Sequence, residues 1–455
     1  MPHLPKQDVL DSKDRQIYEL TELVTKLLIR IDSLESEIAK YRTPKNSSNS
    51  SVPPSKDENR PKKNQSLRKA SGKKSGGQQG HKGHTLKMSS NPDQIITYIP
   101  AFCNGCGNSL DNSVPALKTS RQEVDIPIPK AIIKEHQSYQ KTCKCGHTTT
   151  SQLPQHLKAP IQYESSVEAM VGYLHTRQYL PYQRLSETLA TCFGIKISQG
   201  SIDNIIERLS VKAQGFYQRI HKQIGQESVV GSDETGVKVN GEKNWIWTWQ
   251  NNKYTYITVS PSRGFTVIDT TFPQGFPNTT LCHDAWRAQI KCKAKAHQLC
   301  IAHLLRDLYY LEQRYPNHPW AAQCKQVFLD SLVLKKQLCS ELSLEENTDR
   351  SALEERLDRL LDQTIDKEHK EVMTLLNRLK KYREHLLVFL HEYDVPADNN
   401  GSERAIRNVK VKAKVSGQFR SFRGAQNFVT LRSVIDTLIK QSLEILPNLQ
   451  AVAMS

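Results

Sequence analysis

The chain has 455 residues, too many for one small domain, and carries 63 Lys or Arg against 47 Asp or Glu for a net charge of +16, which points to a polyanionic partner. Aromatic residues make up only 7%, which favours phosphate contact to a duplex over a surface that stacks bases along a single strand. No run of about 18 apolar residues is present to span a bilayer, and the opening Met-Pro-His-Leu-Pro-Lys has no apolar signal core. The ten cysteines of such a cytosolic or nucleoid-associated chain are expected as reduced thiols or metal ligands, not disulfides.

Ile17, Leu20, Val24, Leu27, Ile31, Leu34, Ile38 and Tyr41 alternate in spacing between three and four. β-branched residues mostly hold one seam and Leu the other, which predicts a parallel two-stranded coiled coil over residues 10–42. The alternative is an amphipathic helix packed on its own protein; the polar linker that follows favours self-association. Over residues 43–90, Pro44, Pro53, Pro54 and Pro61 sit among Ser, Asn, Gln and Gly, and eleven Lys or Arg oppose Asp57 and Glu58. Apolar content there is too low to offset ordering entropy. A disordered basic linker is expected, with Lys73, Lys74 and Lys82 attracting phosphates regardless of sequence; the alternative is a solubilising spacer. Gly76-Gly-Gln-Gln-Gly-His-Lys-Gly-His84 has no Lys-Ser/Thr after its glycines, and no nucleotide-binding loop occurs elsewhere.

Residues 91–155 hold Cys103-Asn-Gly-Cys106-Gly and Cys143-Lys-Cys145-Gly, each on a Gly-bearing turn. Four thiolates, Cys103, Cys106, Cys143 and Cys145, give a closed tetrahedral Zn2+ site that is structural, because no position stays open for water. The C-x-C spacing of the second pair is one residue short of the usual one; His147 is an alternative ligand, and reduced buried thiols are the alternative to zinc. Glu123 to Ile128 and Ile133 to Tyr139 read as short strands between the pairs. Residues 160–222 are helical, and Ser198-Gln-Gly-Ser201 reads as a turn and N-cap. Ile202, Ile205, Ile206 and Leu209 form one side of the second helix. A helix-turn-helix with Asp203, Asn204 and Arg208 outward and a plain helical hairpin fit equally.

From Val229, the stretches 229–239, 244–249 and 254–259 alternate between apolar and polar residues with short Gly/Asn turns between them, a three-stranded antiparallel meander. A helix, a strand Thr280 to Asp284, and a fifth strand His297 to His303 running into the helix Leu304 to Tyr315 follow. In Val395-Pro-Ala-Asp-Asn-Asn-Gly-Ser-Glu403-Arg, Pro396 and Gly401 mark a turn, and Ser402, Asn399 or Asn400 caps the next helix. At roughly 100° per residue, Glu403, Arg407, Lys410 and Lys414 share one stripe, opposite Ala405, Ile406, Val409 and Ala413. Taken alone that stripe is a solvated face with one i,i+4 pair. With Asp233 and Asp284 brought to one sheet edge and Glu403 over them, three carboxylates would hold two Mg2+ (or Mn2+) about 3.5–4 Å apart for in-line displacement at phosphorus. Glu234 is the rival of Asp233; strand neighbours point to opposite faces, so only one can serve.

These motifs resemble the DDE transposases of the IS66 insertion-sequence family over nearly the whole chain. Asp233-Glu-Thr matches the first catalytic motif and Asp284 the second, with Ala285-Trp286 in place of Gly-Tyr-type residues. Cys300-Ile-Ala-His303 resembles the family's Cys-x-x-His segment; a packing role is favoured for both, with His303 near the metal site. Asp398-Asn-Asn-Gly-Ser-Glu403-Arg is the most specific match. The resemblance implies a prokaryotic insertion sequence and a multidomain α+β chain: coiled coil, zinc module, helical DNA-binding region, and an RNase H-like catalytic core over residues 226–440. It also implies cleavage at the element's ends, strand transfer into target DNA, and two small accessory proteins of the same element. Residues 304–396, free of Gly and Pro from 320 to 395, read as a helical insertion that either touches DNA or a partner or extends the core; 441–455 reads as a C-terminal tail. Glu403 is the sole acidic residue between 403 and 432, a stretch with eight Lys or Arg. Arg404, Arg407, Lys410, Lys414, Arg420 and Arg423 are therefore expected at the DNA backbone; core packing is favoured for Phe419 and Phe422, the alternative being stacking on an unpaired end base. The rival readings are a non-catalytic DNA-binding relative and a nuclease of the same fold without strand transfer.

Overall fold

The computed structural model describes residues 6–42, 45–46, 86–126, 129–341 and 348–455; Lys73, Lys74, Lys82 and the Gly76–His84 motif lie outside them. Two compact units divide the chain, one of residues 1–61, 134–191 and 195–455, the other of residues 62–133 and 192–194.

Helix α1 (Lys6–Arg42) leaves its apolar seam in solvent, with Ile17 60%, Leu20 59% and Leu27 53% exposed. In the smaller unit, Ser89 and Gln122 exchange two hydrogen bonds of 2.7 and 2.8 Å. The turn of Cys103 is closed by Gly107 at φ 76, whose N–H donates to the Cys103 carbonyl. In the larger unit, β1 (Gln140–Thr142) and β2 (Thr148–Thr150) pair antiparallel around the second cysteine pair, with Gly146 at φ 84. The strands expected at 123–128 and 133–139 are absent among the described residues. Pro127 and Pro129 remove ladder donors, and Val124, Ile126 and Ile133 are 83%, 82% and 92% exposed, with no apolar face to bury.

Four helices follow: α2 (Ser165–Thr176), α3 (Tyr182–Phe193), α4 (Gln199–Lys212) and α5 (Gln214–Ile224). Ser198 caps α4 by accepting from Ser201 N–H, as its sequence indicates. The outward polar side of α4 is engaged: Arg208 pairs with Glu168 of α2, and Asp203 accepts from Tyr182 Oη and from Arg423. That side favours the packed hairpin over a free recognition face.

The central sheet comprises β3 (Val229–Val239), β4 (Glu242–Gln250), β5 (Thr255–Ser260), β6 (Phe276–His283) and β7 (Ala294–Leu299) in the order β5-β4-β3-β6-β7. The first three strands form the antiparallel meander; β6 and β7 run parallel to β3. The connections contain α6 (Phe265–Thr271) and the short α7 (Arg287–Ile290). The fifth strand ends earlier than expected: Cys300 takes the N-cap position and His303 lies in α8 (Ile301–Arg314). Three more helices, α9 (Trp320–Glu341), α10 (Thr348–Leu361) and α11 (Lys370–Lys381), complete the insertion. Its Leu-rich core is continuous with Cys282 and Leu299 of the sheet, and Gln298 bonds to Leu386 O and Phe389 N. The insertion thus extends the core.

Helices α12 (Asn400–Ser416) and α13 (Phe422–Lys440) cover one sheet face, where Val237, Ile246, Ile257 and Val259 meet Val409, Phe428 and Val429. The other face carries Trp247, Trp249 and Tyr256, packed with Phe272 and Tyr217. Residues 441–455 are no tail: α14 (Ile445–Met454) buries Leu449 against Ala169 and Ile435, and Ala453 O accepts from Lys212 Nζ.

Candidate active site

Strand pairing decides which way Asp233 and Glu234 face. Asp233 stands opposite Thr248 and Glu234 opposite Trp247, and directly opposed side chains share a face. Asp233 therefore belongs to the face covered by α12, with Gly231. Glu234 belongs to the tryptophan face, where its carboxylate, 1% exposed, lies 2.6 Å from Arg263 Nη2 and accepts from Gln289 Nε2 at 3.0 Å. Arg263 in turn lies 3.6 Å above the Trp286 ring. Burial and Asp284 raise the Glu234 carboxyl to about 7 against the opposing pull of Arg263.

Burial, then Asp284, Glu234 and Glu403, push the Asp233 carboxyl well above the usual range. Asp284 follows β6 directly; its Oδ1 accepts from Trp286 N–H at 3.1 Å across Ala285, which sits at φ 70. That left-handed position suits Gly, the residue type the resemblance leads one to expect, better than Ala. Glu403, in the first turn of α12, has its Oε1 3.4 Å from Arg306 Nη2 and 3.8 Å from His303 Nε2. Arg306 escaped the sequence reading; it lies three residues beyond His303 on one helix face, a spacing that could have flagged it.

The third acidic motif is fixed to the sheet by its uncharged residues. Asn399 Nδ2 donates to Ser232 O at 2.7 Å, Ser402 Oγ donates to Asn399 Oδ1 at 2.7 Å, and Asn399 N–H donates to Cys300 Sγ at 3.2 Å. Asn399 occupies the N-cap position without capping through its side chain; that side chain ties α12 to β3 instead. Gly401 lies inside the first turn, not in a preceding loop. A Cβ there would come 2.5 Å from Gln250 Nε2, and one at Gly231 would come 2.6 Å from Ser402 Oγ, so the helix approaches the sheet closely only because both positions lack side chains.

Of the expected stripe, Arg407, Lys410 and Lys414 are exposed and Glu403 is half-buried; on the opposite side Ala405, Ile406 and Val409 are buried and Ala413 is half-buried, and Arg404 is exposed as well. Lys412 was not expected inside; it is 5% exposed, and burial lowers it to about 8. Arg420 is exposed, and Arg423, in α13, is ion-paired with Asp203 and Glu207 at 2.9 Å each. Phe419 is buried as expected, whereas Phe422 is 47% exposed. A cavity of about 750 Å³ lies against the same motif, lined by Gln250, Asn399, Gly401 and Lys440 but by none of the three carboxylates.

Among the described residues no three His, Cys, Asp or Glu side chains stand close enough to form a finished metal cage. The donor set nevertheless suits a hard divalent cation: three half-buried carboxylates offer oxygen ligands, and Asp233 is raised by Asp284 and Glu403. At the cysteines, turn N–H groups and the partner thiol lower the half-buried Cys103 and the exposed Cys143.

Two family models match the chain: Transposase IS66 family over residues 160–427 and a family of unknown function, DUF6444, over residues 3–87. Comparison with curated proteins gives no match. The first match covers more than half of the sequence and includes Asp233, Asp284 and Glu403, and the chain belongs to the IS66 family of transposases.

Proposed function

We propose that the protein cuts the ends of an insertion sequence and joins the freed 3′-hydroxyl to target DNA, with Asp233, Asp284 and Glu403 holding two Mg2+ or Mn2+. The observation that carries this is that Asp284 and Glu403, from two distant segments, both raise the Asp233 carboxyl. When bound, the ions would activate a water or 3′-hydroxyl and neutralise charge on the leaving oxygen. The chain's own groups do the rest. Burial keeps Asp233 in a low-dielectric pocket, Arg306 and His303 orient Glu403, and Arg404, Arg407, Lys410, Lys414 and Arg420 neutralise phosphates. Arg423 joins them only by exchanging its two ion pairs. The strand order, with three antiparallel strands followed by two parallel ones and acids on the first and after the fourth, supports an RNase H-like core.

Around that core, α1 serves self-association into a dimer or larger assembly, and the basic linker gathers DNA. Cys103, Cys106, Cys143 and Cys145 hold one structural Zn2+; the matching Gly-closed turns and the lowered thiols support this, and elemental analysis should find one zinc per chain. The setting is the prokaryotic nucleoid, alongside two small accessory proteins of the element.

The test is purified protein with a labelled element-end duplex and Mg2+, expected to give nicked and then joined product. Binding without nicking would indicate a DNA-binding relative, and nicks without joining a nuclease. Asp284→Asn should abolish nicking while DNA affinity stays equal or rises, because phosphate repulsion falls.

A further inference from the structure

Beside the carboxylates the sheet buries a chain of imidazoles that the proposed reaction leaves unused. Ala285 N–H donates to His283 Nδ1 at 3.1 Å, His283 Nε2 lies 3.0 Å from His297 Nδ1, and His297 Nε2 lies 3.1 Å from the Cys292 carbonyl oxygen. His283 is 0% and His297 7% exposed. Both ends of this chain are backbone groups with fixed roles: an amide N–H only donates and a carbonyl only accepts. An acceptor at His283 Nδ1 leaves its proton on Nε2, which must donate to His297 Nδ1. That leaves the His297 proton on Nε2, which donates to Cys292. One arrangement of two neutral rings satisfies all three bonds; shifting either proton faces two N–H groups or two lone pairs.

The upper end of the chain is the turn that carries Asp284. The amide held by His283 belongs to Ala285, at φ 70, and the next amide, Trp286 N–H, bonds the Asp284 carboxylate. We infer that His283, locked in one tautomer by His297, is a positioning residue that fixes the Ala285 peptide and thereby aims Asp284. The tautomer lock stands on the hydrogen bonds alone; its consequence for catalysis rests on the metal-holding role proposed for Asp284.

Two measurements test it. Selective 15N-histidine NMR of the full-length protein without added Mg2+ or Mn2+, assigned with His283→Asn and His297→Gln, should show both rings protonated at Nε2 and bare at Nδ1. A proton on Nδ1 of either ring overturns the lock. The variants then separate the two ends of His283. Asn keeps an acceptor near the Ala285 amide; Gln keeps a donor toward His297 and loses that acceptor; Leu loses both. Calorimetric titration of Mn2+ without DNA, and nicking at graded Mn2+, should place His283→Asn within about threefold of wild type. His283→Gln and His283→Leu should need on the order of 10–100-fold more Mn2+, the usual cost of losing an outer support of a metal ligand, with unchanged DNA affinity. If Asp284→Asn is inactive while the Gln and Leu variants match wild type, the positioning role is wrong. If Asp284→Asn still nicks, the reading of Asp284 fails, and the lock is judged by NMR alone. Should the Leu variant fail to fold, the Asn-to-Gln comparison decides.

Discussion

Asp233 and Glu234 adjoin in the chain and serve opposite faces of the sheet, one beneath α12 and the other paired with Arg263 across the tryptophan layer. The two carboxylates therefore fail differently. Asp233→Asn removes a buried charge crowded by other acids, so nicking should vanish while the metal-free protein melts at a higher temperature. Glu234→Gln leaves Arg263 without its carboxylate. Burial and Asp284 already disfavour the Glu234 charge and Arg263 is 34% exposed, so the lost pair is largely offset and the net cost should be small, about 0–1 kcal/mol in urea unfolding. Equal effects of the two substitutions on stability would contradict this division.

The approach of α12 to the sheet makes a second case. Gly401→Ala places a methyl 2.5 Å from Gln250 Nε2. Gln250 also accepts from Lys440 Nζ at 2.8 Å, so it cannot swing aside without breaking that bond. We expect a cost of about 1–3 kcal/mol from overpacking. Nicking should fall far more than stability does, because Glu403 rides on the displaced turn. Full activity in Gly401→Ala would mean that the helix has slack.

Much of this was legible in the sequence because it depends on periodicity. Alternation gave the meander and set Asp233 against Glu234, and the three-and-four spacing gave the stripe of α12. What was not legible depends on contacts between distant segments. Arg306 orients Glu403 from another helix, and Asn399, expected as a cap, bonds Ser232 across 167 residues. The fifth strand was drawn too long because Cys300 and His303 sit in an apolar run whose hydrogen bonds switch from ladder to helix at Cys300. The 123–128 and 133–139 stretches have strand composition, but among their described residues Val124, Ile126, Ile133 and Tyr139 are exposed, and packing of that kind is not encoded in composition.

Ala285, in the left-handed region, offers a substitution to glycine. An L side chain in the left-handed region costs about 1–2 kcal/mol, part of which the greater freedom of glycine in the unfolded chain cancels. Ala285→Gly should therefore raise stability by about 0.5–1 kcal/mol and retain nicking, whereas Ala285→Val should lose both. Thermal melts and a nicking assay on the pair decide it.

Buried imidazoles set the response to acid. Burial and Lys412 depress His175 to about 3, and burial and His385 depress His297 to about 4. In the unfolded chain both take up protons near pH 6.5, so folding excludes protons that the unfolded state binds. Their contribution is present above about pH 6.5 and is lost as pH falls toward 4, by about 1.4 kcal/mol per pH unit per proton. Asp233 and Glu234, being raised, act in the opposite sense: their contribution is fullest in acid and fades as pH rises, for Glu234 through about 7. Comparing wild type with His175→Gln cancels the carboxyls. The variant should lose less stability than wild type between pH 6.5 and 4, and parallel curves would show that His175 titrates normally.

A long exposed apolar seam lies on α1. Ile17, Leu20, Val24, Leu27, Ile31, Leu34 and Ile38 are each between 41% and 60% exposed, and their spacing places them on one seam. Burying such side chains contributes about 1.5–3 kcal/mol each when complete, against an association cost of about 4–15 kcal/mol. Seven half-exposed side chains are enough to exceed that cost in a zipper, and too many for a helix that stays alone in water. Removing the residues before Thr43 should convert a dimer or larger assembly into a monomer in sedimentation at micromolar concentration. The remaining core should keep its melting temperature, because the buried clusters of the sheet and its covering helices contain no residue of α1. A Leu20→Lys, Leu27→Lys double substitution should reproduce the monomer without shortening the chain, and an unchanged assembly in both variants would place self-association elsewhere.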